Sequence, residues 1–292
     1  MPQLKIAILN MYAGVANEGM RCIHQLIDRT QLTLNQEFEV KVFDVRLANQ
    51  LPDLSFDIYI STGGPGSSLP STDAWETSYF ALLDQIFSWN KTNARKKYLL
   101  LICHSFQLAS RHLGIGLLSQ RKSTSFGVMP MHKTAAAQHE PLLAGLPEPF
   151  FAVDSRDYQI THPDYARLEE LGAEVMCLEK KRPHIPLARA LMAVRFTPEI
   201  FGTQFHPEAD GDGMLRYMLT NEKREQVIAN HGEAKYHEMV AMLRDPDTIE
   251  LTESIIIPTF LRQAAQQLLS EQVAIEKPVI PVAERNSLAV AE

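Results

Sequence analysis

The chain has 292 residues, 45% of them hydrophobic and 22% charged, which is enough for a substantial core in one large or two modest domains. A formal net charge of -7 excludes nucleic acid as a main partner, because no basic field gathers phosphates. Its three cysteines form no even-numbered framework, no run approaches the roughly 18 apolar residues of a membrane span, and no signal peptide is read, so a soluble protein of the reducing cytoplasm is expected, with no membrane partner.

Strand-like apolar runs are predicted at 5–9, 39–45, 57–61 and 98–103, alternating with helical periodicity at 19–29, 77–89 and 106–113. Such alternation is the pattern of an α/β fold with a doubly wound, mostly parallel sheet. After Gly116 the texture changes. Short runs at 125–132, 150–154, 174–179, 191–196 and 200–205, broken by Pro, Gly and charge, predict hairpins and edge strands. Helical periods return at 214–219, 222–230, 234–243 and 252–269. The chain is thereby divided into a catalytic domain at 1–210, a helical extension at 211–275 and a flexible tail at 276–292.

In open α/β sheets, ligands bind beyond the carboxyl ends of the strands. Asn10, Gly63, Gly64, Cys103 and His206 are all predicted there. Cys103 closes an apolar run just before a helix, where unpaired amides and a nearby imidazole favour a thiolate. His206, in Phe205-His206-Pro207-Glu208, supplies that imidazole, and Glu208 can fix its tautomer. Gly63 and Gly64 permit a turn whose amides face a developing oxyanion, with the His104 amide as a second donor. Each piece alone has a plain structural reading: a small buried cysteine, a turn, a surface loop. Their convergence on one sheet edge points to acyl chemistry at a thiol. His231, Glu233, His237 and Glu238 lack zinc-motif spacing and no phosphate-binding loop is present, so neither metal nor cofactor is expected. The basic run Lys180-Lys181-Arg182 reads as solvated charge.

Leu101-Ile102-Cys103-His104-Ser105-Phe106-Gln107, Ser61-Thr62-Gly63-Gly64-Pro65-Gly66-Ser67 and Thr203-Gln204-Phe205-His206-Pro207-Glu208 resemble the signature blocks of class I glutamine amidotransferases, with the amidotransferase domain of GMP synthetase a close comparison. The resemblance covers roughly residues 6–208 and implies the flavodoxin-like fold of that family. It also implies a Cys103–His206–Glu208 triad that hydrolyses glutamine through a thioester, with Gln107 at the substrate. Where the family has glycines around the nucleophile, this chain has Leu101 and Ser105. Where it has Ser-His, expected at the substrate's amino-acid end, this chain has Ser155-Arg156.

Homoserine O-acyltransferases of the same fold are similar at Trp75-Glu76, His112-Leu113-Gly114-Ile115, Phe126-Gly127-Val128 and Ser155-Arg156. Two enzyme readings therefore stand: ammonia release from glutamine for a separate acceptor synthetase subunit, and acyl transfer from an acyl-CoA through the same cysteine. A catalytically silent regulatory protein is the third. The helical extension can dock a partner, form a homo-oligomer or cover the site.

Overall fold

In the first hundred residues, runs that are buried on both faces become the inner strands of a parallel sheet. The computed structural model describes residues 3–245 and 248–276. In chain order, β1 (Leu4–Asn10), α1 (Gly19–Leu34), β2 (Phe38–Asp44), α2 (Val45–Ala48), β3 (Ile58–Ser61), α3 (Ala74–Thr92), β4 (Tyr98–Ile102) and α4 (His104–Leu113) build the α/β half. Every residue of β3 and β4 is buried, as continuous apolar strands between two helical layers must be, whereas edge strand β2 exposes Glu39, Lys41 and Val42.

The rest of the sheet comes from β5 (Leu117–Lys133), β6 (Phe150–Thr161), β7 (Glu174–Glu179), β8 (Leu191–Thr197) and β9 (Ile200–Thr203), with α5 (Tyr165–Leu171) between β6 and β7. The strand order is β2-β1-β3-β4-β9-β8-β7-β5-β6. Pairings from β2 to β9 are parallel and those from β9 to β6 antiparallel, so β9, the last strand, sits where the two halves join. The antiparallel half curls back on itself, because edge strand β6 bridges to His206 just beyond β9.

Two strands are longer than the sequence pattern predicts. Residues 119–124 and 155–157 are polar, yet β5 and β6 pair from Leu117↔Thr161 to Met131↔Phe150, with a register shift between Gln120 and Ser125. Ser155 and Arg156 consequently lie within a strand and not in the loop that follows one. Helix α5 starts soon after β6, with Asp164 accepting a hydrogen bond from the Arg167 amide at its N-terminus.

The C-terminal helices are α6 (Gly211–Met218), α7 (Asn221–His231), α8 (Glu233–Leu243) and α9 (Ile249–Glu276). They do not form a unit apart. Ile256, Phe260, Leu261, Ala264 and Leu268 of α9 share one buried cluster with Ile6, Ile8, Leu100 and Phe201 of the sheet. Met218, Tyr236, Met239 and Val240 of α6 and α8 pack on Phe126, Val128 and Val153 of β5 and β6. The boundary expected at 210 thus crosses a continuous core. The expected tail begins one residue early, since Glu276 ends α9, and residues 277–292 lie outside the described residues. Among the described residues no helix is long and apolar enough to cross a membrane.

Candidate active site

Cys103 stands between β4 and α4 with φ 47° and ψ -98°, a left-handed φ that costs a non-glycine residue conformational energy. The elbow is held by the sheet: the Cys103 amide donates to the Thr203 carbonyl at 2.7 Å, extending the β4–β9 ladder by one residue. Helix α4 begins immediately, and its first amides, that of His104 included, have no acceptor within the helix.

The same ladder sets His206. Three residues past the end of β9, its amide donates to the Val153 carbonyl at 2.8 Å, while Phe205 before it is buried edge-on against Phe150. His206 Nδ1 lies 2.8 Å from Glu208 Oε1. Glu208 is 1% exposed and its Oε2 has no hydrogen-bond partner, so its charge is directed at the imidazole. Burial opposes a proton on His206, but the Glu208 carboxylate and the Cys103 sulfur outweigh it and raise its pKa well above the ordinary value. With Nδ1 committed to Glu208, Nε2 is the nitrogen left for sulfur chemistry.

The glycine loop passes close to Cys103 and His206. A Cβ on Gly63 would stand 2.7 Å from His206 Cε1 and 3.6 Å from Cys103 Cβ, and one on Gly64 would collide with the Met11 carbonyl. Only glycine lets this backbone pass between β1 and the imidazole.

The two departures from the resembled pattern are both accommodated. Ser105 is fully buried; its hydroxyl donates to the Thr62 carbonyl at 2.6 Å and lies 2.7 Å from Ser61 Oγ, tying the elbow to the glycine loop. Leu101 finds its space across the ladder, paired with Gly202, where any Cβ would crowd Phe106 and Phe196.

The substrate-side expectations need correction. Gln107 is 3% exposed and its amide is fully engaged: it accepts from Ser68 Oγ and donates to the Tyr158 carbonyl and Gln204 Oε1. Gln204, not singled out from the sequence, in turn donates to Cys103 Sγ at 3.6 Å. Gln107, at the cleft wall, therefore positions Gln204. Arg156 is also not free. Its side chain is 0% exposed, with Nε on Asp154 Oδ2 at 3.0 Å and Nη2 3.3 Å from Glu179. Strand alternation is the reason: Ser155 faces outward, with its carbonyl 3.6 Å from Cys103 Sγ, and Arg156 takes the opposite face.

His104 has a defined tautomer. Gln107 Oε1 can only accept, so Ser68 spends its one hydroxyl proton there and must accept from His104 Nδ1–H. Burial, then the nearby Arg46 and Arg111, lower the His104 pKa to about 3, so its ring stays neutral while His206 carries the positive charge.

Above Cys103 opens a cleft of about 720 Å³. Tyr12, Gly64, Ser155 and His206 line it, and α6 closes one side with Met214 and Tyr217. Two ion pairs anchor that helix over the cleft: Arg21 with Asp210 at 2.8 Å and Arg216 with Glu18 at 3.1 Å. Of the roles open to the extension, covering the site is the one these contacts realise. Nothing in the local sequence of α6 signalled it, because the cleft wall is made by packing between distant segments.

The glutamine amidotransferase class-I family matches residues 20–225 of this chain. Its fold is similar to a glutamine amidotransferase from Thermotoga maritima, at 12% identity and a TM-score of 0.64, covering 90% of this chain and 98% of that one. It is also similar to the glutaminase domain of Trypanosoma brucei CTPS with bound acivicin, at 13% identity and a TM-score of 0.56, covering 90% and 94%. At such identities these likenesses establish the fold alone. No curated protein matches by sequence.

Proposed function

The chain belongs to the class I glutamine amidotransferase family, and from that premise we propose that it hydrolyses glutamine at Cys103 and releases ammonia for a separate acceptor subunit. The observation that carries the reading is Cys103 at a strained strand–helix elbow beside an imidazole whose other nitrogen is bound to a buried carboxylate. In this mechanism the Cys103 sulfur attacks the side-chain amide carbon of glutamine. The amides of Gly64 and His104 receive the oxyanion, and Gly63 keeps the loop close. Protonated His206 gives its proton to the departing nitrogen, and ammonia leaves behind a γ-glutamyl thioester on Cys103. Water, deprotonated by His206, then releases glutamate and restores the thiol. Glu208 holds the ring and stabilises the imidazolium throughout.

Of the segments behind the acyl-CoA reading, Ser155-Arg156 lies at the cleft, and its arginine is engaged with Asp154 and Glu179. Ser155 is the exposed residue of that pair at the cleft.

A chloroketone analogue of glutamine tests the reading without the acceptor subunit. The expected result is stoichiometric alkylation at Cys103, slowed by excess glutamine, with glutamate release from glutamine itself. Labelling elsewhere, or labelling that glutamine does not slow, would remove glutamine as the substrate.

A further inference from the structure

A second cavity, of about 160 Å³, lies among β5, β6, β7, β8 and α8. It shares Thr124 and Phe126 with the catalytic cleft but includes neither Cys103 nor His206. One side is apolar, made by Phe126, Met129, Met131, Met192 and Met239. The other is charged. Arg121 and Arg182 line it and, together with Arg156 on the side of the catalytic cleft, converge on a single oxygen, Glu179 Oε1, at 3.4, 2.7 and 3.3 Å respectively.

Charge in this cluster does not balance. Among the described residues the other carboxylate lining the cavity is Asp154, whose Oδ2 is taken by Ser125 and Arg156 Nε. Arg156 is wholly buried, and its Nη1 and Nη2 make no hydrogen bond. Lys180 adds a further cation at the exposed rim, while Lys235 is already paired with Glu238 at 3.0 Å. Three guanidinium groups facing two carboxylates in a low-dielectric setting repel one another, and an anion in the cavity would relieve that cost. The basic run that reads as solvated in the sequence is therefore split by the fold: Lys181 stays in water, and Arg182 turns into the cluster.

We propose that this cavity is a binding site for a small organic anion, with a carboxylate or phosphate-monoester head against Arg121 and Arg182 and an apolar body against Phe126 and the methionines. Asp154 Oδ1, which lacks a partner, would accept a hydroxyl hydrogen of such a ligand. Planar guanidinium groups suit both head groups, because each offers paired oxygens to a fork of donors.

Calorimetric titration of the full chain with phenyl phosphate, hexanoate and hexylamine tests this. One-site binding of at least one anion is expected, with none for the amine, and the preferred head group separates phosphate from carboxylate. Arg182→Gln should weaken that binding about tenfold, the loss of one charge-assisted contact. Lys180→Ala should weaken it in the same direction, and because Lys180 is exposed this variant keeps the fold and decides the matter if Arg182→Gln does not. Binding should persist after Cys103 is alkylated. No heat from either anion, equal affinity in both variants, or loss of binding on alkylation would overturn the proposal.

Discussion

The parallel and antiparallel halves of the sheet both bury charge, but they arrange it differently. At the parallel edge, one imidazole meets one carboxylate, His206 on Glu208, and the backbone supplies the remaining polarity through strand ends and the start of α4. In the antiparallel half, Asp154, Arg156 and Glu179 come from two strands, Arg121 from a third, and Arg182 from the segment after β7, and no backbone dipole organises them. The first arrangement suits the proposed reaction because its charges are few and aimed. The second locks strands together and leaves a surplus of one sign.

The largest expected effect tests the aimed centre directly. Cys103→Ala should reduce glutamate release on the order of 10⁴-fold or more while leaving the melting temperature within a few degrees, as seen by a coupled assay and calorimetry. Retained turnover would dissolve the contrast, since the parallel edge would then hold only a buried thiol.

Next, Glu208→Gln should lower turnover on the order of 10³-fold and shift the His206 titration, followed by NMR, downward. The sign is set by the raised His206 pKa: the stability it contributes is complete below about 6.5, the unfolded value, and is lost as pH rises through the higher folded value. The stability gap between wild type and Glu208→Gln should therefore narrow at alkaline pH.

Glu179→Gln probes the other half. Removing the charge shared by three arginines should cost about 3 kcal/mol of stability by denaturant titration, with far less effect on the chemistry. Burial opposes ionisation of Glu179, but Arg182, Arg156 and Arg121 prevail and lower its pKa to about 2. Its contribution is present above the ordinary 4.5 and lost as pH falls through about 2, so the difference between variants should close only in strong acid.

Smaller still, Ser105→Ala should cost about 1–2 kcal/mol, because the buried Thr62 carbonyl loses its donor, and should slow turnover as the glycine loop loosens. If stability falls and turnover does not, the tie is structural only. Finally, mild iodoacetamide at neutral pH should label Cys103 before Cys22 or Cys177. Burial pushes the Cys22 thiol up to about 12 and that of Cys177 higher, so both stay protonated.

The sequence by itself determined the order of the parallel strands' chemistry. Cys103, Gly63-Gly64 and His206-Pro207-Glu208 each sit at the end of a short apolar run, and strand ends on one edge are legible because parallel strands share a direction. It also determined the α/β alternation and the C-terminal helices. Only the tertiary structure decided which way Arg156 faces, what Gln107 holds, and how Ser105 and the Leu101–Gly202 pair replace the expected glycines. It alone placed α6 over the cleft and gathered three arginines on Glu179. Those outcomes depend on strand register, where one residue changes which face a side chain occupies, and on contacts between segments far apart in sequence. Local pattern carries neither kind of information, because register and packing are set by the whole sheet at once.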